Sequence, residues 1–116
     1  MKNDELAARA GDAETMLKAL ASRNRLMILC ALQRGEHSVG DLCERVSLGQ
    51  SSVSQHLARL RSDGLVRARR EAQTIHYSLA GEHVVRLMDL LHEMFCAVDC
   101  PHEKTQARRA QAGRTS

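Results

Sequence analysis

Aromatic side chains are nearly absent: the 116 residues include one phenylalanine, one tyrosine and no tryptophan. A core without rings must be built from Leu, Val, Ile, Met and Ala carried on helices. Long apolar runs are lacking as well. The most apolar stretch, Val84 to Val98, is interrupted by Arg86, Asp89, His92 and Glu93, so no segment is suited to span a bilayer. Met1 to Gly11 is charged and has no apolar centre, unlike a secretory signal. The expected location is the cytoplasm, with no membrane partner. There the four cysteines would be core fillers, metal ligands or redox-reactive thiols rather than static crosslinks. Also missing are a CxxC pair, a nucleophile–base pair and a glycine-rich phosphate loop. These absences argue against an enzyme, and no cofactor is expected.

A chain this short is one small domain, and part of its stability is expected to come from a second subunit. Residues 1–11 read as a flexible N-terminus and residues 12–100 as the domain. Residues 101–116 read as a basic, disordered tail carrying Lys104, Arg108, Arg109 and Arg114. Within the domain, Asp12 to Ala21 forms a first helix with Met16, Leu17 and Leu20 as its apolar stripe. Ser22 caps a second, Arg23 to Gln33, which is apolar nearly all round (Leu26, Met27, Ile28, Leu29, Cys30, Leu32) and should lie at the centre. Ser38 caps a short third helix with Val39, Leu42, Cys43 and Val46 on one face. A last helix runs from about Gly81 to Val98 and stops before Pro101. Its wide apolar face holds Val84, Leu87, Met88, Leu91, Met94 and Phe95. The core is complete without this helix, so the first and last helices are expected to pair with a second copy.

What is present is concentrated in Gln50 to Ser78. Val53, Leu57 and Leu60 recur at helical spacing and bury one face, while Ser51, Ser52, Gln55, His56 and Arg59 lie on the polar side. Asp63-Gly64 ends this helix, because glycine takes the left-handed conformation of a C-terminal cap. Val66 to Glu71 and Thr74 to Ser78 alternate apolar and polar residues about Ala72-Gln73, as a hairpin does. The net charge is only +3, yet this stretch carries Arg59, Arg61, Arg67, Arg69 and Arg70 against Asp63 and Glu71. A polar-faced helix followed by an arginine-bearing hairpin is the layout of a winged helix-turn-helix that binds double-stranded DNA. Ser51, Ser52 and Gln55 would meet base edges, Gln55 being able to pair with adenine. Arg67, Arg69, Arg70, Gln73, Thr74 and His76 would lie on the wing, at phosphates or the minor groove. His56 either reads DNA or packs between helices. A winged-helix module that binds protein instead is the alternative the hairpin arginines speak against.

The segments LKALASRNRLMILCAL, HSVGDLCERV, SSVSQHLARLRSDGLV and RREAQTIHYSL together resemble the ArsR/SmtB family of bacterial repressors over about residues 12–98. The resemblance implies a mainly α fold with a small β-hairpin wing. Four helices, the wing and a fifth helix would follow in that order, in a homodimer joined through the first and last helices. It further implies a near-palindromic operator with half-sites about 34 Å apart and an inducer that releases DNA.

The inducer turns on the cysteines. Arsenic sensors of this family carry CVCDLC on the third helix, where this chain has SVGDLC, Ser38 to Cys43, so that site is absent. The zinc-sensor pattern on the last helix is not matched by His83, His92 and Glu93. Cys30 in LMILC and Cys96 in MFC resemble the thiol pair of the sulfide- and persulfide-responsive subgroup, the BigR- and SqrR-like repressors. That resemblance implies a redox-sensing pair closed by a di-, tri- or tetrasulfide bridge, with reactive sulfur species as inducer. Cys43 and Cys100 are possible modulating thiols. The alternative is an arsenite- or antimonite-responsive repressor with the metalloid on Cys96 and Cys100, four residues apart.

Overall fold

Two serines open the helices that set the frame. The Ser22 hydroxyl accepts from the Arg25 backbone N–H at 3.3 Å and starts α2 (Arg23–Leu32), and Ser38 does the same for Asp41 at 3.2 Å at the head of α3 (Val39–Val46). The computed structural model describes residues 2–96, Cys96 for its backbone alone. Cys100 and the basic tail fall outside the described residues.

Residues up to Ala80 form one compact unit and residues from Gly81 a second. In the first, α1 (Asn3–Leu20) is followed by α2, the two-residue strand β1 (His37–Ser38), α3, α4 (Gln50–Ser62) and the strands β2 (Val66–Glu71) and β3 (Thr74–Leu79). The sheet is antiparallel in the order β1-β3-β2, with Ala68 and His37 both opposite Tyr77. Helix α2 packs against α1, α3, α4 and β3. The core is aliphatic: Ile28, Leu29, Leu42, Val53, Leu57, Leu60 and Leu65 are each at most 1% exposed. The winged helix-turn-helix expected from the sequence is the fold observed.

The helix ends follow from local chemistry. Gly64, at φ +78°, closes α4 with Leu65 N–H donating to the Leu60 carbonyl at 2.9 Å and Gly64 N–H to that of Arg61 at 3.0 Å. That is a Schellman closure, and its two leucines are both buried. Arg25 closes the end of α1 by donating from Nε to the Ala19 carbonyl at 2.6 Å.

Three features of this unit differ from the sequence reading. Helix α1 begins at Asn3 rather than Asp12, because residues 3–13 are mostly helix formers with Asp4 and Glu5 favourably placed in the first turn. Of its apolar stripe, Leu20 is buried beside Ala19, while Leu17 is 61% exposed, as suits a helix expected to meet a second copy. Helix α2 is central but not enclosed: Met27 is exposed and Cys30 half-buried. Strand β1 was not foreseen.

In the second unit, α5 (Glu82–Leu91) buries Val84 and Met88, then passes into a π-helical turn, His92–Cys96. The sequence suggested one helix to Val98; the α geometry instead stops at Leu91. Leu90, Met94 and Phe95 remain exposed, Phe95 by 74%.

Candidate nucleic-acid interface

Helix α4 is amphipathic in the manner that presents a reading surface. Val53, Leu57 and Leu60 hold it to the core, which turns the opposite side outward. Ser51, Gln55 and Arg59 are exposed there, and Ser52 and His56 are half-buried toward its edge. The exposed residues carry a hydroxyl, an amide and a guanidinium on successive turns. Arg59 is held along the helix by Asp63, Nε to Oδ2 at 2.9 Å. Gln55 keeps an amide free to present both a donor and an acceptor to a base edge.

The hairpin places its arginines unequally. Arg67 and Arg70 are exposed, and among the described residues neither makes a salt bridge. Arg69 differs from the sequence expectation of a phosphate contact. Its Nη2 and Nε meet Glu36 Oε1 and Oε2 at 2.7 and 3.0 Å, and Nη1 meets Glu71 at 3.3 Å. The fork is thus already matched to carboxylate oxygens. The Arg69 hydrogen bond holds the Glu36 carboxyl below its usual range, and Glu36 in turn raises the guanidinium further. The pair ties the wing to the segment between α2 and β1. Glu36 is a residue the sequence reading missed; 33 positions separate it from Arg69, and no local pattern joins them.

At the tip, Gln73 and Thr74 are exposed, as expected of a wing end. Ala72 turns the chain at φ +58°, a left-handed conformation unusual for a residue with a Cβ. His76 is half-buried, with Nε2 3.7 Å from Glu71, on the sheet face shared with Arg69 rather than free at the tip.

The thiols divide by description. Cys30 on α2 and Cys43 on α3 are each half-buried, and Cys43 stands in no disulfide. Cys43 shares its face with the buried Leu42 and Val46, as the spacing suggested. Cys96 closes the π-helical turn. The metalloid pair proposed from the sequence includes Cys100 and so lies partly outside the described residues. No helix among the described residues is long and apolar enough to cross a membrane.

Known proteins share this architecture and much of its sequence. Residues 22–68 match the family described as bacterial regulatory protein, arsR family. The transcriptional activator HlyU of Vibrio cholerae is 47% identical over 96 residues, which cover 83% of this chain and 89% of that protein. The structure of reduced HlyU from Vibrio cholerae N16961 superposes with a TM-score of 0.75, covering 79% of this chain and 97% of that one. The transcriptional repressor BigR from Xylella fastidiosa is 37% identical with a TM-score of 0.72, over 84% and 99% of the two chains. A homodimeric winged helix-turn-helix DNA-binding domain from Mycobacterium bovis is 32% identical with a TM-score of 0.75, over 94% and 97%.

Proposed function

The chain belongs to the ArsR family of bacterial regulatory proteins and is a transcriptional regulator, and from that premise we propose that it is a homodimeric, cytoplasmic repressor released from its operator by reactive sulfur species. The observation that carries the DNA reading is the exposed Ser51–Gln55 face of α4 beside a wing whose Arg67 and Arg70 have no carboxylate partner among the described residues. Gln55, with Ser51 and Ser52, reads base edges; Arg67, Arg70, Gln73 and Thr74 hold backbone and minor groove. Arg69 acts through Glu36, fixing where the wing stands. The exposed Leu6, Leu17, Leu90, Met94 and Phe95 supply apolar surface of the kind a second copy covers through α1 and α5. The homodimeric domain from Mycobacterium bovis among the solved relatives supports this assembly.

The sensing chemistry follows from two thiols on different elements. Cys30 is only half-buried, so a small polysulfide can reach it. Cys96 closes a π-helical turn, a geometry that recurs at functional sites. One thiolate attacks a sulfane sulfur of the polysulfide and expels hydrosulfide or a shorter polysulfide. The second thiolate attacks the chain now bound to the protein and expels hydrosulfide. Two thiols are oxidised and the polysulfide is reduced. A direct disulfide needs Cα atoms within about 7 Å, whereas inserted sulfur atoms lengthen the reach, so the bridge can favour polysulfide over peroxide. Tying α2 to the end of α5 biases the dimer and so the separation of its recognition helices. A coupling of about 2–3 kcal/mol is enough for release.

The test is DNA release by polysulfide, using a duplex that the reduced protein has selected from random sequence. Wild type and Cys43→Ser should dissociate, whereas Cys30→Ser and Cys96→Ser should bind and stay bound. Release of Cys30→Ser by arsenite, lost in Cys100→Ser, would transfer the sensing role to the metalloid pair.

A further inference from the structure

An open recess of about 450 Å³ lies between α4 and β3, lined by Ser54, Leu57, Ala58, Arg61, Ser62 and Tyr77. Ser54, Ala58 and Arg61 follow one another at helical spacing down the flank of α4, beside rather than on the face that presents Ser51 and Gln55. Tyr77 comes from β3, opposite Ala68, and alternation puts it on the sheet face of the buried Val66 and Leu79. Arg70 is on this same sheet face, two register pairs nearer the turn.

The charge state of the lining is informative. Of the arginines on α4 and β2, Arg59 is held by Asp63, and Arg69, on the sheet face away from Tyr77, is held by Glu36 and Glu71; Arg61 lines the recess, and Arg70 lies on its sheet face nearer the turn. Arg61 is exposed and, among the described residues, makes no ion pair. The recess therefore combines an uncompensated guanidinium with three hydroxyl-bearing side chains. Among the described residues no carboxylate lines it. Arg, Ser and Tyr are donors that commonly take phosphate oxygens.

Geometry names the phosphate. When a helix occupies the major groove and the following hairpin the adjacent minor groove, one sugar–phosphate strand separates the two grooves and must pass between the two elements. The recess lies in that gap. We propose that it seats one backbone phosphate of this intervening strand, with Arg61 as the cation and the Ser54 and Tyr77 hydroxyls as donors. The inference rests on the DNA reading above and adds to it residues that read no sequence. It makes the α4–wing gap a register device: the phosphate fixes how deeply α4 sits relative to the wing, whatever the bases.

The probe is a short duplex of random sequence, with binding followed by fluorescence anisotropy from about 50 to 200 mM salt. The full-length reduced protein should show log–log salt dependence. Arg61→Ala should weaken binding roughly tenfold and flatten the slope by about 0.9 for each subunit engaged, while Arg61→Lys restores the slope. Tyr77→Phe should weaken binding severalfold with the slope unchanged. In the double variant Tyr77→Phe should add nothing, since both groups hold one phosphate. An unchanged slope in Arg61→Ala, or independent losses that multiply in the double variant, overturns the phosphate seat while leaving DNA binding intact. Absence of salt-dependent binding by the wild type overturns the DNA reading itself. Thermal melts of each variant separate these results from loss of fold.

Discussion

In the proposed complex, helix α4 and the wing meet the same ligand by different means. In α4 the reading face is a by-product of packing: once Val53, Leu57 and Leu60 are buried, the helix period turns Ser51 and Gln55 outward. The wing has no such automatic division. Its strands alternate, yet Arg67 and Arg69 share a sheet face and have different fates, one exposed with no carboxylate partner among the described residues, the other clamped by Glu36. A helix face is set by local spacing. An arginine's availability is set by whatever carboxylate the tertiary fold brings to it.

The comparison can be broken from the helix side first. Leu57→Ala removes a side chain that is 1% exposed beneath the reading face; it should cost about 2–5 kcal/mol of stability. Chemical denaturation checks this, and DNA binding should fall with the folded fraction. A smaller and more selective loss is expected at the surface. Gln55→Ala should forfeit about 1–3 kcal/mol of discrimination at one base-pair position, whereas Arg67→Ala should weaken all duplexes alike and lower the salt slope by about 0.9 per contact. Binding to a set of single-base operator variants separates the two patterns.

The wing side offers a sharper contrast. Glu36→Gln removes the carboxylate that occupies Arg69, so binding to random duplex should strengthen and its salt slope steepen. The gain should be less than that of a whole new phosphate contact, because Glu71 still holds Nη1. An unchanged slope would mean that Arg69 faces no phosphate even when released. The smallest effect concerns His37, beside the wing in β1. Burial, followed by the charge of Arg45, holds its pKa below 6.5 despite Asp41. The folded state therefore favours neutral His37, and its contribution is intact above pH 6.5 and lost as pH falls through the lowered value. Thermal melts should show His37→Gln less acid-sensitive than wild type over that interval.

Much of the frame was legible because its signals are local. The serine caps, the Gly64 closure, the α4 stripe and the hairpin about Ala72-Gln73 are each written within a few residues. The N-terminal half of α1 is helical by propensity and carries no apolar stripe, so its sequence holds no periodic signal. Strand β1, two residues long, offers no periodicity at all. Apolar content suggested that α2 is enclosed, but the fold leaves the flank with Met27 and Cys30 partly open, a difference that bears directly on thiol access. The Arg69–Glu36 clamp and the recess lined by Arg61 and Tyr77 join residues distant in sequence, so only the tertiary structure reveals them.

The central claim is that two thiols convert reactive sulfur into loss of DNA binding. Its most direct test is a peptide-mapped mass spectrum of the reduced protein after polysulfide, with peroxide as the comparison treatment. The account predicts a Cys30–Cys96 link carrying additional sulfur masses, formed with polysulfide and not with peroxide. Both thiols remaining unlinked after polysulfide would contradict it.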